Sequence, residues 1–319
     1  MRLILIWWPT PPSGWWTPAT RCLRQGFKES IGVPDSLDLL GRDQISFGGD
    51  PAFFRGQDVL VTGSAGTIGS ALVRALRDAG VSVCGVDCRS AEEVDLQGDL
   101  CDAAFLESAV MGRTVLFHAA ALKHVDRAEL DPHMAWRINR DLVRAICERR
   151  PIGSCLLFVS TDKAAFPAGV MGQSKREAEC IVQDHRDRGP AMVVRFPNIL
   201  GSSDSVLPIW TNQLSAGQPL TLTDSEATRW FLTESEAIDL LLAVCARGES
   251  GAIHVPQLGE PVSMAVLLRR FLARHQREDH PVEVVGLRPG EKQHEVLFEH
   301  PPGLPSEIVG VGLDREHQP

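Results

Sequence analysis

The chain has 319 residues, of which 44% are apolar and 23% are charged. These proportions are ordinary for a soluble globular protein with one large α/β unit or two domains. Its formal net charge of −9 argues against a nucleic-acid-binding protein, which normally presents a basic patch.

The eight cysteines form no Cys-x-x-Cys pair, and several of them lie inside apolar runs. This usage predicts buried, reduced thiols rather than metal ligands or disulfides. We therefore expect no metal site and a cytoplasmic location.

Residues 1–55 are predicted to form an extension and linker, and residues 1–50 are expected to be loosely structured. The first apolar run, "MRLILIWW", ends before Pro9, whereas about 20 apolar residues are needed to span a bilayer. We therefore expect no membrane span. Contact with a membrane surface and binding of a partner both stay open as roles for this Trp-rich segment.

Apolar runs of strand length alternate with segments of helical periodicity between residues 57 and 196. This alternation predicts an α/β fold with a parallel, doubly wound sheet. The predicted strands are 57–63, 81–87, 113–121, 154–160 and 191–196, and the predicted helices are 67–80, 103–112, 134–150 and 172–189.

The pattern becomes irregular after residue 197. Helices are predicted at 234–248 and 262–275, with short strands in "GAIHVPQ" and "VEVVG". We expect residues 197–319 to form a smaller, mixed substrate domain, with some segments returning to the core of a Rossmann domain formed by residues 56–196.

The segment "TGSAGTIG" places three glycines between the first strand and the first helix of the alternation. Gly63 permits a tight turn, Gly66 lets the backbone approach a pyrophosphate, and Gly69 allows close helix–strand packing. Asp87 ends the next strand, where a carboxylate accepts hydrogen bonds from ribose hydroxyls and repels a 2′-phosphate. The motif predicts NAD in preference to NADP, although Arg89 could instead favour a phosphate.

Small and polar residues further along the chain complete the predicted cofactor site. Three alanines after the third strand leave room for a cofactor, and Asp99 is a candidate to meet the adenine, with a simple turn as the alternative. The predicted cofactor-binding residues are Gly63, Ser64, Gly66, Thr67, Ile68, Gly69, Asp87, Asp99, Leu100, Ala119, Ala120, Ala121 and Lys175.

"STDK" ends the fourth strand, at the edge where parallel sheets present ligand-binding residues. It gives a hydroxyl, a carboxylate and an amine in succession at Thr161, Asp162 and Lys163. The alternative is a helix N-cap followed by a solvated pair. The apolar strand before the cluster and the alanines after it favour catalysis.

Two further polar positions have structural alternatives. His124, beside Lys123, contacts the substrate or serves as a hydrogen-bonded structural imidazole. Asn139 lies in mid-helix, where Asn is unfavourable without a reason, and we expect it to bridge to the backbone of a strand.

These residues carry a family resemblance. The chain resembles the extended short-chain dehydrogenases and, more narrowly, the nucleoside-diphosphate-sugar 4,6-dehydratases of the polysaccharide (capsule) biosynthesis branch. The matching segments between residues 59 and 297 include "VLVTGSAGTIGSAL", "HAAALKHVDRAELDP", "STDKA", "MGQSKREAE" and "GLRPGEKQHEVL".

The chain contains no tyrosine, although the wider family uses a Tyr-x-x-x-Lys pair. Met171 stands four residues before Lys175, and methionine at this position resembles a Met-for-Tyr subfamily. Met171 is therefore expected to shape the pocket, and Lys175 to bind the nicotinamide ribose.

The resemblance implies oxidation of the sugar at C4, loss of water across C5 and C6, and hydride return to C6. It assigns Asp162 as the acid for the C6 hydroxyl, if desolvation raises its pKa, and Thr161 as a partner of the C4 oxygen. Lys163 is the candidate C5 base, with its pKa expected to be depressed by nearby Lys175 and the nicotinamide cation. Asp162 is our first choice to take the C4 proton, and Lys163 the second.

At the other end of the substrate the resemblance implies a nucleotide, most often UDP on N-acetylglucosamine. Two arginines suit bidentate phosphate binding, and a glutamate suits ribose hydroxyls. Pro197 and Asp204 stand where the family usually has glycine. The predicted substrate-binding residues are Lys123, His124, Asn198, Val206, Arg229, Arg288 and Glu291.

Two alternatives stay open. One is a nucleotide-sugar epimerase, or a variant dehydratase of a secondary-metabolite (antibiotic) pathway. The other is a non-catalytic NAD-binding regulator, suggested by the missing tyrosine. A homo-oligomer is expected from the resemblance.

Overall fold

The computed structural model describes residues 33–203, 205–288, 290–297 and 308–311. Within these residues the main sheet has eight strands, all parallel, in the order β14-β11-β6-β5-β4-β1-β2-β3. The predicted doubly wound sheet is confirmed. Its strands are β1 (Asp58–Thr62), β2 (Ser82–Asp87), β3 (Leu96–Gln97), β4 (Val115–His118), β5 (Cys155–Thr161), β6 (Ala191–Phe196), β11 (Ile253–Pro256) and β14 (Ile308–Val311).

The central strands are buried over most of their length because helices cover both faces of the sheet, as their continuous apolar sequences predict. The order of β5, β4 and β1 brings the ends of three strands to one edge. The helices are α1 (Val33–Leu40), α2 (Thr67–Asp78), α3 (Ala103–Val110), α4 (Val125–Leu130), α5 (Pro132–Trp136), α6 (Leu142–Arg149), α7 (Val170–Asp184), α8 (Val206–Ser215), α9 (Glu234–Arg247) and α10 (Met264–Arg274).

The helix predicted at 134–150 is interrupted. A π-helical turn at Arg137–Asp141 separates α5 from α6. Asn139 lies in this turn, where its side chain binds both the N–H and the carbonyl of Leu122. The expected bridging role is found, but it is directed to the loop after β4 and not to a strand.

The C-terminal part contributes to two cores. Strands β11 and β14 extend the main sheet, and α9 packs against α2. A second apolar cluster joins α1, α8 and α10, with Trp210 and Phe271 at its centre. Short pairs flank it: β7 (Asn198–Ile199) with β10 (Phe231–Leu232), β8 (Leu220–Leu222) with β13 (Val282–Val284), and β9 (Thr228–Arg229) with β12 (Val262–Ser263).

The expectation of a loosely structured start is wrong for its described part. Leu39 and Leu40 are buried in the second cluster, and Ile45 and Phe47 in the main core. Arg42 explains the attachment, since its guanidinium donates two hydrogen bonds to buried Glu236. Residues 1–32 lie outside the described residues.

The expectations about a membrane span and about the cysteines have different outcomes. Among the described residues, no helix is long and apolar enough to cross a membrane. The described cysteines are free thiols, but Cys88 and Cys180 are exposed, so the expectation that all are buried is wrong.

Candidate active site

The glycine loop between β1 and α2 has the geometry that its sequence predicts. Gly63 has a φ of +75°, and a Cβ there would lie 2.7 Å from the backbone nitrogen of Ala120. A Cβ on Gly69 would lie 2.2 Å from the carbonyl oxygen of Gly63. Helix α2 begins after Gly66, which offers no side-chain acceptor to the first-turn N–H groups.

Asp87 ends β2 beside this loop and is buried. Its Oδ2 accepts from the N–H of Ala65 at 3.1 Å, and its Oδ1 accepts from the N–H of Arg89 at 2.9 Å. The Arg89 side chain also approaches Oδ1, at 3.3 Å. The carboxylate therefore braces the glycine loop.

The other predicted cofactor residues divide into loop and core positions. The Asp99 carboxylate is 63% exposed, accepts a hydrogen bond from the N–H of Cys101 and forms an ion pair with Arg137. In this structure it therefore stabilises a turn. Leu100 packs in the main core. Ser64 is buried and its Oγ has no hydrogen-bond partner among the described residues. Thr67 and Ile68 begin α2, and Ala119, Ala120 and Ala121 follow β4 directly.

Thr161, Asp162 and Lys163 form one cluster at the end of β5. Asp162 Oδ1 accepts from Thr161 Oγ1 at 2.8 Å and from Lys163 Nζ at 3.0 Å. The Asp162 side chain is fully buried, and its Oδ2 has no hydrogen-bond partner in the described part of the chain. A buried carboxylate with an uncommitted oxygen is suited to proton transfer with a ligand.

The expected depression of the Lys163 pKa is not found. Burial acts to lower this pKa, but the carboxylates of Asp162 and Glu295 outweigh burial and Arg229, so the pKa is raised. The Nζ of Lys175 instead donates to the carbonyl oxygen of Val159. In this state Lys163 is an ammonium group and not a free base.

Glu295 is a site residue that the sequence reasoning missed. Its carboxylate is 3% exposed and lies 3.7 Å from Lys163 Nζ through Oε1. Lys292 approaches its Oε2 at 3.9 Å. The position falls within the quoted "GEKQHEVL" segment, but nothing local marks it, since its partner comes from a distant part of the chain.

Lys175 lies on α7 with its Nζ 2.8 Å from the carbonyl oxygen of Val159 and 4.4 Å from the centre of the Phe158 ring. Burial lowers the pKa of Lys175 to about 7, against a smaller opposing effect of Glu179. Burial and the nearby Lys175 charge lower the pKa of His118 to about 3. His118 is therefore a neutral imidazole, bound to Thr62 Oγ1.

Met171 occupies the position four residues before Lys175, where it is buried against Ala128 and Ala135. Together with Lys163, Gly290, Lys292 and Glu295 it lines a small cavity. The side chain is apolar and carries no transferable proton, so the proton chemistry of this cavity is left to its neighbours.

A buried ion pair between α7 and β6 lies next to the residue that precedes this cluster. Glu179 on α7 receives two hydrogen bonds from Arg195 on β6, at 2.8 and 2.7 Å, and both side chains are fully buried. Glu179 also accepts from Ser160 Oγ at 2.6 Å. The pair thus fixes β5 at the residue before Thr161.

The predicted substrate residues are spread along the same edge. Arg229 donates to the carbonyls of Thr228, Lys292 and Gln293, so its guanidinium holds the segment that carries Glu295. The main-chain N–H of exposed Arg288 donates to the carboxylate of half-buried Glu291. The remaining predicted positions are Lys123, whose Nζ lies 3.4 Å from Ser203 Oγ, His124 at the start of α4, Asn198 in β7 and Val206 at the start of α8.

Comparison with known proteins adds a family match. The family model described as "polysaccharide biosynthesis protein" matches residues 86–302. The capsular polysaccharide biosynthesis protein CapD of Staphylococcus aureus is 33% identical over 292 residues, which cover 82% of this chain and 48% of CapD. The chain thus spans about half the length of this relative.

Two other proteins are similar over most of their own length. The UDP-glucose 4-epimerase of Rickettsia conorii is 27% identical over 76% of this chain and 78% of its own. The structure of DesIV, a dTDP-glucose 4,6-dehydratase from Streptomyces venezuelae with NAD bound, matches with a TM-score of 0.66 at 20% identity, covering 75% of this chain and 87% of DesIV. The likeness to DesIV establishes the fold.

Proposed function

The chain belongs to the polysaccharide biosynthesis protein family, and we propose that it is an NAD-dependent nucleotide-sugar 4,6-dehydratase acting on UDP-N-acetylglucosamine. The observation that carries this proposal is the contact between Asp162 and Lys163. Loss of water across C5 and C6 needs an acid for the hydroxyl and a base for the carbon-bound proton. Asp162 and Lys163 supply one candidate for each, side by side.

The glycine loop fits the cofactor. The close approach of Gly69 to Gly63 and the uncapped first turn of α2 leave backbone N–H groups for a diphosphate. Asp87 has lone pairs to accept from ribose hydroxyls while it braces the loop. When bound there, NAD would supply the hydride acceptor for C4 and the hydride donor for C6.

The residues of this chain account for the protons. Asp162, as a carboxylate, takes the C4 hydroxyl proton directly or through Thr161 Oγ1, which lies 2.8 Å from Asp162 Oδ1. The same proton then leaves with the C6 hydroxyl as water. Lys163, after losing the proton that it carries in this structure, takes the C5 proton as a neutral amine and gives a proton back to C5 as the hydride returns.

The substrate binds, in this proposal, between the cluster and the segment 290–297. Lys175 provides a positive potential near the nicotinamide ribose, and Arg288 provides an exposed guanidinium for the diphosphate. Pairing of chains into a homo-oligomer and a cytoplasmic location stay predictions.

The test is mass spectrometry on NAD-loaded protein incubated with a panel of UDP- and dTDP-sugars. We expect loss of the mass of one water from UDP-N-acetylglucosamine and a 4-keto product by NMR. Asp162→Asn should abolish this loss, whereas the exposed-strand control Glu283→Gln should not. Binding of NAD without any keto product would favour the regulator.

The second candidate function is that of a nucleotide-sugar 4-epimerase, because the relative from Rickettsia is a UDP-glucose 4-epimerase. An epimerase exchanges only the C4 proton and hydride, so it needs no acid for C6. A product of unchanged mass with inverted C4 in the same NMR spectra would select it.

A further inference from the structure

Two cysteines that the proposed reaction does not use lie in contact where α9 packs against β5. Cys155 begins β5 and Cys245 lies near the end of α9, and their sulfur atoms are 3.7 Å apart. The S–S bond of a disulfide is about 2.05 Å long, so an approach of under about 2 Å would join the two sulfurs. Contact between packed elements therefore brings together two thiols that are 90 positions apart in the chain.

The surroundings of Cys155 favour its thiolate. The hydrogen bond from Cys245 and the charge of Arg150 lower the pKa of the Cys155 thiol, against the opposing effect of burial. The Arg150 guanidinium is fully buried and donates to the carbonyl oxygen of the adjacent Ser154. The same contact with Cys155, together with burial, raises the pKa of Cys245. The pair thus combines a nucleophilic sulfur with a protonated neighbour.

Exposure also distinguishes the two thiols. Cys155 is half-buried, whereas Cys245 is buried. Cysteines that react with oxidants are partly exposed, have a lowered pKa and often lie next to a second thiol. Cys155 meets these three conditions. The other described cysteines outside this pair have raised pKa values; they are Cys84, Cys88, Cys101, Cys147 and Cys180.

We propose that Cys155 and Cys245 form an oxidation site, at which a hydroperoxide converts the two thiols into a disulfide between β5 and α9. In the first step the sulfur of Cys155 attacks the peroxide, so an S–O bond forms, the O–O bond breaks, and water or an alcohol leaves with the thiol proton. In the second step the sulfur of Cys245 loses its proton and displaces the hydroxyl group of the sulfenic acid as water. The two thiols lose two electrons in all, and the peroxide is reduced.

The disulfide would join two elements that position other parts of the protein. The far end of β5 carries Thr161. Helix α9 carries Glu236 and Asp239, which bind the segment 42–49 through its main chain and through Arg42. The inference does not rest on the proposed reaction, so a chain that acts on no sugar nucleotide would leave it intact.

The first test uses the reduced full-length chain and hydrogen peroxide in increasing amounts. Remaining thiols are blocked with iodoacetamide in urea, and the peptides are analysed without reduction by mass spectrometry. We expect a Cys155–Cys245 cross-linked peptide, reversed by dithiothreitol, at peroxide levels where exposed Cys88 and Cys180 are still alkylated. Exposure alone would give the opposite order. Oxidation of Cys88 and Cys180 while Cys155 and Cys245 are still alkylated would overturn the proposal.

The second test removes the resolving thiol. In Cys245→Ser the sulfenic acid of Cys155 has no thiol partner, so we expect a dimedone adduct at Cys155 after peroxide treatment. The matched control Cys180→Ser changes an exposed cysteine and should still form the cross-link, without a dimedone adduct at Cys155. Absence of the adduct in Cys245→Ser, with folding checked by circular dichroism, would show that Cys155 does not attack the peroxide and would overturn the proposal.

Discussion

The buried ion pair beneath the active site makes a quantitative prediction about stability. Arg195→Met removes a guanidinium that gives Glu179 two hydrogen bonds, at 2.8 and 2.7 Å, where both side chains are fully buried. Breaking a buried pair by removing one partner costs about 3–5 kcal/mol, because the other charge is left uncompensated. We expect a decrease of this size in the free energy of unfolding.

Urea unfolding followed by circular dichroism measures this change. Arg176→Met is the matched control, since Arg176 contacts the same carboxylate at 3.3 Å but is 21% exposed. Because Arg176 reaches solvent and Arg195 does not, the control should lose less than Arg195→Met. The double variant Arg195→Met/Glu179→Leu should recover much of the loss, because apolar replacements of buried pairs are often neutral.

A free energy of unfolding for Arg195→Met within about 1 kcal/mol of the wild type, or no lower than that of the Arg176 control, would contradict this prediction. Either result would mean that Ser160 and Arg176 suffice to compensate the Glu179 carboxylate. The position of Thr161 would then depend on the strand alone.

Three further predictions concern the site. Gly69→Ala should weaken NAD binding at least tenfold in calorimetry, since its Cβ would lie 2.2 Å from the Gly63 carbonyl oxygen, and Gly66→Ala, at 3.1 Å from the same atom, should weaken it less; equal affinities would contradict this. The unfolded chain binds more protons than the folded chain between the folded pKa of Lys175, about 7, and its usual 10.5, so stability should rise with pH in that window by up to about 1.4 kcal/mol per unit. Lys175→Met should flatten that rise in cofactor-free protein, and an unchanged slope in urea titrations would show that Lys175 titrates normally. Lys163→Ala should abolish incorporation of deuterium at C5 in D₂O, and full turnover with deuterium still arriving would remove Lys163 as the base.

Local sequence patterns were sufficient for the sheet and the glycine loop. The turn at Gly63, the carboxylate at Asp87 and the cluster after β5 follow from short motifs whose geometry is set by neighbours in sequence. The predicted strand 191–196 matches β6 to the residue. Helix ends differ by a few residues, since capping and tertiary packing decide them.

Features that depend on distant contacts were not predictable in this way. Glu295 meets Lys163 only because the C-terminal segment folds back over the sheet edge, held by Arg229. The sign of the Lys163 pKa shift was wrong for this reason. Likewise, residues 39–47 are held in place by Glu236 and by the second apolar cluster. Both contacts come from distant parts of the chain, so the local sequence did not predict them.

Two main-chain hydrogen bonds to Asp87 limit how the proposed cofactor preference could be re-engineered. A change from NAD to NADP would ordinarily begin by replacing this acid with a smaller residue to admit a 2′-phosphate. Here that replacement would also remove the acceptor for the Ala65 N–H, leaving the glycine loop held to β2 by the main-chain hydrogen bonds from Gly63 and Ser64 to the Val86 carbonyl. Asp87 therefore affects both cofactor preference and loop shape, and a change of cofactor from NAD to NADP would need a compensating second substitution in the loop.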